Sequence, residues 1–321
     1  MVASICELAI RILGPFGRLW YPAPPYTTPH PISITSEVME ASLGSCYHVG
    51  EMSTIQSQPV GALLREWRKR RRMSQLDLAC EAEISSKHLS FLETGRSLPS
   101  RDMLLHLTER LEIPLRERNA LLVAAGYAPL FTERPLDDPA LTAARKAIDQ
   151  VLAGHEPYPA LAIDRHWTLI AANHAVGSLL AGVTPALLQP PVNVLRLSLH
   201  PEGLAPRIAN LLEWRGHLLA RLRHQIDLTA DPVLVELMHE LCGYPTPREA
   251  RSHKPTTNRD YAGIVVPLQL ITEAGLLTFL STTTIFGTPI DITLSELALE
   301  SFFPADTMTA SVMRGFARGE S

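Results

Sequence analysis

Apolar positions recur at helical spacing between residues 58 and 130, and short polar breaks separate the apolar runs. Leu89 and Leu92, for example, lie three residues apart and therefore share one face of a helix. The pattern predicts five helices, each with an apolar face that can be buried against the others. The inward-facing positions are, helix by helix, Leu63, Leu64 and Trp67; Leu78, Ala79 and Ala82; Leu89 and Leu92; Met103, Leu104, Leu107 and Leu111; and Leu121, Leu122 and Ala125.

The breaks between these helices carry capping residues. Ser74 stands three residues before Asp77, which is a weak form of the capping box because Asp takes the place of Glu. Ser85 and Ser100 occupy the same kind of N-terminal position. Gly95 lies just past the third predicted helix, where glycine is a common terminator. The boundaries therefore indicate short helices joined by tight turns.

From residue 157 onward, strand-like alternation mixes with helical runs. The stretch "YPALAIDRHWTLIAANHAVGSLL" predicts two short strands around a tight turn at Asp164, followed by a helix that Asn173 caps. Two further strands, "YAGIVVPLQLI" and "LLTFLSTTTIF", are joined by "TEAG". Helices are predicted between these strand pairs, over residues 204–225 and 231–242. The whole chain is therefore expected to be α+β, with a five-helix domain followed by an antiparallel sheet domain with inserted helices.

Trp214, Arg215 and His217 lie within one turn of the first inserted helix. In a ligand pocket, Trp214 would line an apolar cavity and Arg215 or His217 would anchor a carboxylate. The alternative is a helix with a buried Trp and a solvated Arg and His. Glu296 and Glu300, four residues apart, are predicted to form the solvated face of a final helix.

The chain divides into four predicted segments. Residues 1–57 are rich in Pro, Ser and Thr and show no period, so we expect them to be disordered or an upstream extension. We hypothesise that translation begins at Met52, just before the first patterned run. Residues 58–130 form the helical domain, and 131–156 form a linker and a connecting helix. The sheet domain occupies residues 157–315.

Composition narrows the class of protein. The net charge is -4, so any nucleic-acid role would depend on the local basic run "REWRKRRR". The four cysteines form no CxxC pair, which indicates reduced, cytosolic usage. No apolar run approaches the roughly 18–20 residues that a membrane helix needs. We therefore expect a cytoplasmic protein with no membrane association, no cofactor and no metal site.

The stretch "SQLDLACEAEISSKHLSFLETGRSLPS" resembles the helix-turn-helix of the XRE/lambda-repressor-like family. The matching pairs are Ser74-Gln75, Leu78-Ala79, Ile84-Ser85, Leu89-Ser90 and Pro99-Ser100, together with "ETGR". One position departs from the pattern, because Glu83 stands in the turn where the family usually has Gly. A left-handed backbone there would cost a non-Gly residue on the order of 1 kcal/mol.

The resemblance implies which residues meet DNA. Base edges in the major groove would be read by Ser86, Lys87 and Phe91 of the third helix. The residues implied to lie along phosphates are Gln75, Ser90, Thr94 and Arg96, and the basic run adds Arg70 and Arg71. Phe91 could press on a thymine methyl group or could instead pack against another part of the chain. Lys87 and the basic run could also be ordinary solvated charges.

The second half has a resemblance of its own. Its strand-turn-strand opening followed by "NHA" resembles a PAS fold. The stretches "PPVNVLRLSLHPEGLAPRIANLLEWRGHLLARLR" and "FLSTTTIFGTPIDITLSELALESFFPAD" resemble the ligand-binding domain of MmyB-like transcription regulators. The resemblance implies a sensor pocket for a small apolar or acyl-chain-like molecule, such as one of fatty-acid-like chemistry. The order of domains then implies a regulator that binds a double-stranded DNA operator, as a homodimer on paired half-sites.

Two other functions are kept open. The helical domain could serve as a protein-interaction adaptor that does not bind DNA. An enzyme built on the second domain is the less favoured alternative, because the chain has no G-x-S-x-G, no H-E-x-x-H and no Walker A motif. We therefore expect a protein that is not an enzyme and has no catalytic residues.

Overall fold

The computed structural model describes residues 59–245, 265–287 and 289–318. The predictions for residues 1–57, including a start at Met52, lie outside these ranges. The chain separates into two units. One contains the described residues up to Leu111 together with Ala120–Ala128, and the other contains Glu112–Asn119 and the described residues from Pro129 onward.

The five helices predicted from the apolar pattern are confirmed. They are α1 (Val60–Arg70), α2 (Gln75–Glu81), α3 (Ser86–Glu93), α4 (Arg101–Arg110) and α5 (Leu115–Ala124). Most of the predicted inward positions are buried, and Leu64, Leu78, Leu89, Leu104 and Leu107 are fully buried. Burying a leucine side chain contributes roughly 1.5–3 kcal/mol, so this shared apolar face is what holds such short helices together.

The predicted caps of the helical unit are present, whereas Asn173, predicted to cap a later helix, makes no capping hydrogen bond, because its Oδ1 accepts from the N–H of Ala160 at 3.0 Å. Ser74 Oγ accepts from the backbone N–H of Asp77 at 3.1 Å, and the Asp77 carboxylate accepts from the N–H of Ser74 at 2.8 Å, which completes a capping box. Ser85 and Ser100 cap α3 and α4 in the same way. Each cap satisfies an N–H group that the helix leaves unpaired and contributes about 1 kcal/mol.

Gly61 sets how closely α1 approaches the end of α3. A Cβ atom at this position would lie 2.2 Å from the carbonyl oxygen of Leu92. No real carbon–oxygen contact is that short, so only glycine permits the observed approach of the two backbones.

The second unit contains a five-stranded sheet of entirely antiparallel pairs, in the order β2-β1-β5-β4-β3. Its strands are β1 (Ala160–Ile163), β2 (Leu169–Ala172), β3 (Leu268–Thr272), β4 (Gly275–Ile285) and β5 (Ala298–Pro304). The α+β class and the two predicted hairpins, β1–β2 and β3–β4, are confirmed.

Helices pack against both faces of this sheet. They are α6 (Thr142–Gly154), α7 (His174–Leu179), α8 (Val194–Leu199), α9 (Leu211–Thr229), α10 (Pro232–Gly243), α11 (Ile292–Ser295) and α12 (Thr307–Arg318). Ile148 and Leu152 of α6 join one apolar cluster with β1 and β2. Trp214 and Leu218 of α9 join the larger cluster, which also contains Phe279 of β4.

The start of the first inserted helix was predicted wrongly. The helix α9 begins at Leu211 rather than at residue 204, and residues 205–207 form a separate 3₁₀ turn. Ile208 is extended and bridges Leu270, and the N–H of Ala209 donates to the carbonyl of Gln269 at 2.8 Å. This segment covers the edge of β3, so a long-range contact overrides the local helical pattern.

The placement of Glu296 and Glu300 on a final helix was also wrong. The short helix α11 ends at Ser295, and Glu300 lies in the middle of β5, where it is buried. It pairs there with Leu161 of β1 and Thr283 of β4. The four-residue spacing of two carboxylates fits a helix, but pairing on both sides makes this segment a central strand.

Candidate DNA interface and ligand cavity

The helices α2 and α3 form a helix-turn-helix. Its turn contains Glu83 in the left-handed conformation, with φ 53°. The N–H of Ile84 donates to the carbonyl of Ala79 at 2.9 Å, which closes the turn around it. The turn thus keeps the geometry that glycine usually provides, and Glu83 adopts it at a cost of about 1 kcal/mol.

A buried ion pair fastens α1 to the end of α3. Arg68 donates through Nε to Glu93 Oε1 at 2.6 Å and through a terminal nitrogen to Oε2 at 2.9 Å. Gln75 Nε2 donates to the same carboxylate at 2.7 Å, and Arg68 also donates to the carbonyl of Met73 at 2.8 Å. Burial by itself would raise the pKa of Glu93, but the hydrogen bonds from Arg68 and Gln75 outweigh it and lower that pKa. Arg68 therefore belongs to the interior, although the sequence places it in a basic run.

The outward side of α3 carries the predicted base readers. Ser86 and Lys87 are exposed at its first turn, and Phe91 is half-buried one turn later. The Lys87 ammonium lies 5.7 Å from the centroid of the Phe91 ring, and the Arg96 guanidinium lies 5.8 Å from it. We call Ser86, Lys87 and Phe91 the reading face.

The residues predicted to lie along phosphates fall into two groups. Arg96 and Thr94 are exposed, with the Thr94 hydroxyl donating to the carbonyl of Ser90 at 2.7 Å. Arg70 is exposed and pairs with Glu66 one turn away. By contrast, Arg71 donates to the carbonyl of Leu111 at 2.8 Å. Gln75 likewise donates inward, to Glu93.

The second unit contains a cavity of about 110 Å³ between the sheet and α9. Its walls are almost entirely apolar. The apolar side chains that line it include Leu161, Trp167, Leu179, Leu195, Trp214 and Leu218. The polar side chains in the wall are Ser198, Arg221 and Glu300.

Arg221 and Glu300 form an ion pair at the cavity wall. Thr283 joins the pair, since it accepts from Arg221 at 3.0 Å and donates to Glu300 at 2.8 Å. The Arg221 guanidinium lies 4.9 Å from the centroid of the Trp167 ring, a distance typical of a cation–π contact. The charged groups of the wall are thus already paired with each other.

The three predicted pocket residues have different positions. Trp214 lines the cavity and donates through Nε1 to Ser198 Oγ at 3.0 Å. Arg215 does not line it, because its guanidinium donates to the carbonyls of Leu241, Cys242 and Tyr244. His217 is half-buried beside Trp214, and burial together with nearby Arg221 lowers its pKa.

Arg221 was missed in the sequence, and Glu300 was named there only as part of a solvated helical face. Arg221 had a signal, since it lies seven residues after Trp214 and therefore two turns along the same face of α9. Glu300 had none, because its position depends on strand pairing with distant segments.

The two regions correspond to two families of known proteins. A helix-turn-helix domain model matches residues 59–121, in agreement with the geometry of α2 and α3. The family model for the MmyB-like transcription regulator ligand binding domain matches residues 144–315. Because that match covers more than half of the 321 residues, the chain belongs to this family. A comparison with curated proteins found no match.

Together, the two family matches support a ligand-responsive, DNA-binding transcription regulator. None of the helices in the described part of the chain combines the length and apolar character that a membrane crossing needs. The described residues also bring no three His, Cys, Asp or Glu side chains together as a metal site would require.

Proposed function

We propose that the chain is a sequence-specific regulator of the XRE type that reads an operator with the reading face of α3. The observation that carries this is a cluster on the outward side of the second helix of a helix-turn-helix. Lys87 is exposed, Phe91 is half-buried, and Arg96 is exposed just past the end of the helix. An α-helix fits the major groove, and its exposed face meets base edges there. In this position Lys87 donates to a base acceptor and Phe91 contacts a thymine methyl group.

Affinity in this proposal comes from phosphate contacts. Arg70, Ser90, Thr94 and Arg96 are assigned to the phosphates on either side of the groove. Arg71 and Gln75 serve a different purpose, because their hydrogen bonds to Leu111 and Glu93 hold α1 and α2 in place. A homodimer would place two copies of α3 on half-sites about one helical turn apart.

The PAS-like sheet domain is proposed to sense an apolar molecule. The support is a cavity of about 110 Å³ with apolar walls. An engineered apolar cavity of roughly 150 Å³ binds benzene, so a space of this size suits a compact molecule. A longer acyl chain would need the cavity to widen. The Arg221–Glu300 pair would meet the polar end of either ligand.

The DNA-binding proposal is tested with a mobility-shift assay on the DNA upstream of the gene that encodes the chain. The wild type is expected to shift this duplex, and Lys87→Ala is expected to weaken binding by about 1–3 kcal/mol. Lys146→Ala, at an exposed position on α6, is the matched control and should bind like the wild type. An adaptor would show no specific shift with any of the three proteins, and that result would exclude the proposal.

The sensor proposal is tested with native mass spectrometry of the full chain and of the molecules that co-purify with it. A bound small molecule is expected in the wild type. Leu218→Phe fills the cavity, so the bound small molecule should be absent from this variant. The control is Leu212→Phe, because Leu212 lies on the same helix but is 45 % exposed. Loss of the molecule in both variants, or in neither, would contradict a site in this cavity.

A further inference from the structure

Glu296 and Glu300 lie four residues apart, on the stretch of chain that leads into β5 of the second unit. Glu300, on β5, belongs to the ion pair in the cavity wall. Glu296 lies two residues before β5 and accepts two hydrogen bonds from Arg116, at 2.9 and 3.0 Å. The residues that join the two carboxylates, from Ala298 onward, pair with β1 on one side and with β4 on the other, which makes this connection stiff.

A second connection runs beside the first. Trp167 lines the cavity, and its Nε1 donates to Gln225 Oε1 at 2.8 Å. Gln225 in turn donates to the backbone carbonyl of Arg165 at 2.7 Å. The side chain of Arg165 reaches Glu296, at 3.8 Å, so both connections end at the same carboxylate.

Arg165 is held loosely between two carboxylates. Its terminal nitrogen lies 3.5 Å from Asp231 and 3.8 Å from Glu296, longer than a direct hydrogen bond in either case. Its Nε is buried without a hydrogen-bond partner among the described residues. Asp231 also accepts from His166 at 2.9 Å. The guanidinium of Arg165 is therefore half-buried, has one buried donor without a partner, and lies within reach of two carboxylates.

Arg116 connects this cluster to α5. It is the second residue of α5, and Glu133 also accepts a hydrogen bond from it at 2.8 Å. The helix ends at Ala124. Its last two turns contain Leu121 and Leu122, which are buried.

We propose that Arg116, Glu296, Arg165 and Asp231 form a relay that passes the state of the cavity to α5 and thereby changes affinity for DNA. The relay rests on the proposed function and adds its mechanism of regulation. A ligand that contacts the Arg221–Glu300 pair shifts Arg165 between its two carboxylates, and this changes how firmly Glu296 holds Arg116. Networks of this kind alter affinity by roughly 2- to 30-fold.

The test uses a variant in place of an unidentified ligand. Arg221→Met disturbs the cavity pair, and Glu300→Gln is a milder second variant that keeps the shape of the side chain. Each is made in the wild-type background and in the Glu296→Gln background. Arg196→Met is the control, since it removes the bidentate pair with Glu240 elsewhere in the same unit. The two measurements are the Kd for the upstream duplex and the hydrogen exchange of residues 115–124.

The relay predicts that the cavity variants change both measurements in the wild type and neither in the Glu296→Gln background. Equal changes in the two backgrounds, or no change in either, would overturn it. The control is expected to leave both measurements unchanged. If the wild type binds no specific DNA but exchange in α5 still responds through Glu296, the DNA-binding proposal fails and the relay within the second unit stands. If DNA is bound specifically and the exchange does not respond, only the relay fails.

Discussion

Arg68 and Glu93 form a two-hydrogen-bond ion pair in the interior of the helical unit, at 2.6 and 2.9 Å. Both residues are less than a tenth exposed. The pair joins α1 to the last turn of α3, and Gln75 of α2 adds a third hydrogen bond to the same carboxylate. It therefore fixes the three helices that present the reading face.

Removing one partner of this pair should destabilise the helical unit strongly. Arg68→Met leaves a buried carboxylate without its cation, and we expect a loss of about 3 kcal/mol. The double variant Arg68→Met/Glu93→Leu should recover most of that loss, because no buried charge remains. Hydrogen exchange of the α3 amides measures both free energies. Equal losses in the single and double variants would show that the charge pairing is not the cause.

The same pair should make the helical unit sensitive to acid. Burial alone would raise the pKa of the Glu93 carboxyl, but the hydrogen bonds from Arg68 and Gln75 outweigh it, so the folded-state pKa of Glu93 is lowered. A lowered pKa stabilises the fold above the ordinary glutamate pKa of about 4.3, and this contribution is lost as pH falls through the lower, folded-state value. The melting temperature of the wild type, measured at steps of about half a pH unit between about pH 6 and pH 3, should show this loss. Glu93→Gln should flatten the profile, and an unchanged profile would contradict this assignment.

The turn of the helix-turn-helix should be strained at Glu83. Its φ of 53° is in the left-handed region, so Glu83→Gly should stabilise the helical unit by about 1 kcal/mol. Glu81→Gly provides the opposite control, because Glu81 is helical and glycine there should cost about 1 kcal/mol. Chemical unfolding measures the change in the free energy of unfolding, which should be positive for Glu83→Gly and negative for Glu81→Gly. A stabilisation in neither would mean that the turn carries no strain.

The approach of α1 to α3 should depend on Gly61. Gly61→Ala places a methyl group 2.2 Å from the carbonyl oxygen of Leu92 and should destabilise the unit by about 1–3 kcal/mol or more. Gly216 lies in the middle of α9 with no neighbouring atom within 4 Å of an added Cβ. Gly216→Ala should therefore stabilise its helix by about 1 kcal/mol. The melting temperature should fall in Gly61→Ala and rise in Gly216→Ala. Shifts in the same direction would contradict this explanation.

The helix-turn-helix could be predicted because its signals are local. The capping box of Ser74 and Asp77 and the spacing of Leu89 and Leu92 specify helices within a few residues of each position. The role of Arg68 could not be predicted, since a run of basic residues does not show which side chain turns inward. Only the packing of α1 on α3 brings it to Glu93.

The ligand cavity was predictable only in part. Trp214 was found through its place on a helix, and Arg221 shares that face two turns later. Glu300 depends on β5 pairing with β1 and β4, whose residues are far away in sequence. Strand pairing of this kind has no local signature, so a spacing that fits a helix was misleading there.

The central claim, that α3 reads DNA sequence, is tested most directly by a fluorescence-anisotropy titration with two duplexes. One carries the upstream sequence and the other a scrambled sequence of the same length and composition, and each is titrated at several salt concentrations. The account predicts that the wild type binds the upstream duplex at least about 10³-fold more tightly, with an affinity that falls as salt rises. It also predicts that Phe91→Ala lowers this preference more than it lowers binding to the scrambled duplex. Equal affinity of the wild type for the two duplexes at every salt concentration would contradict the account.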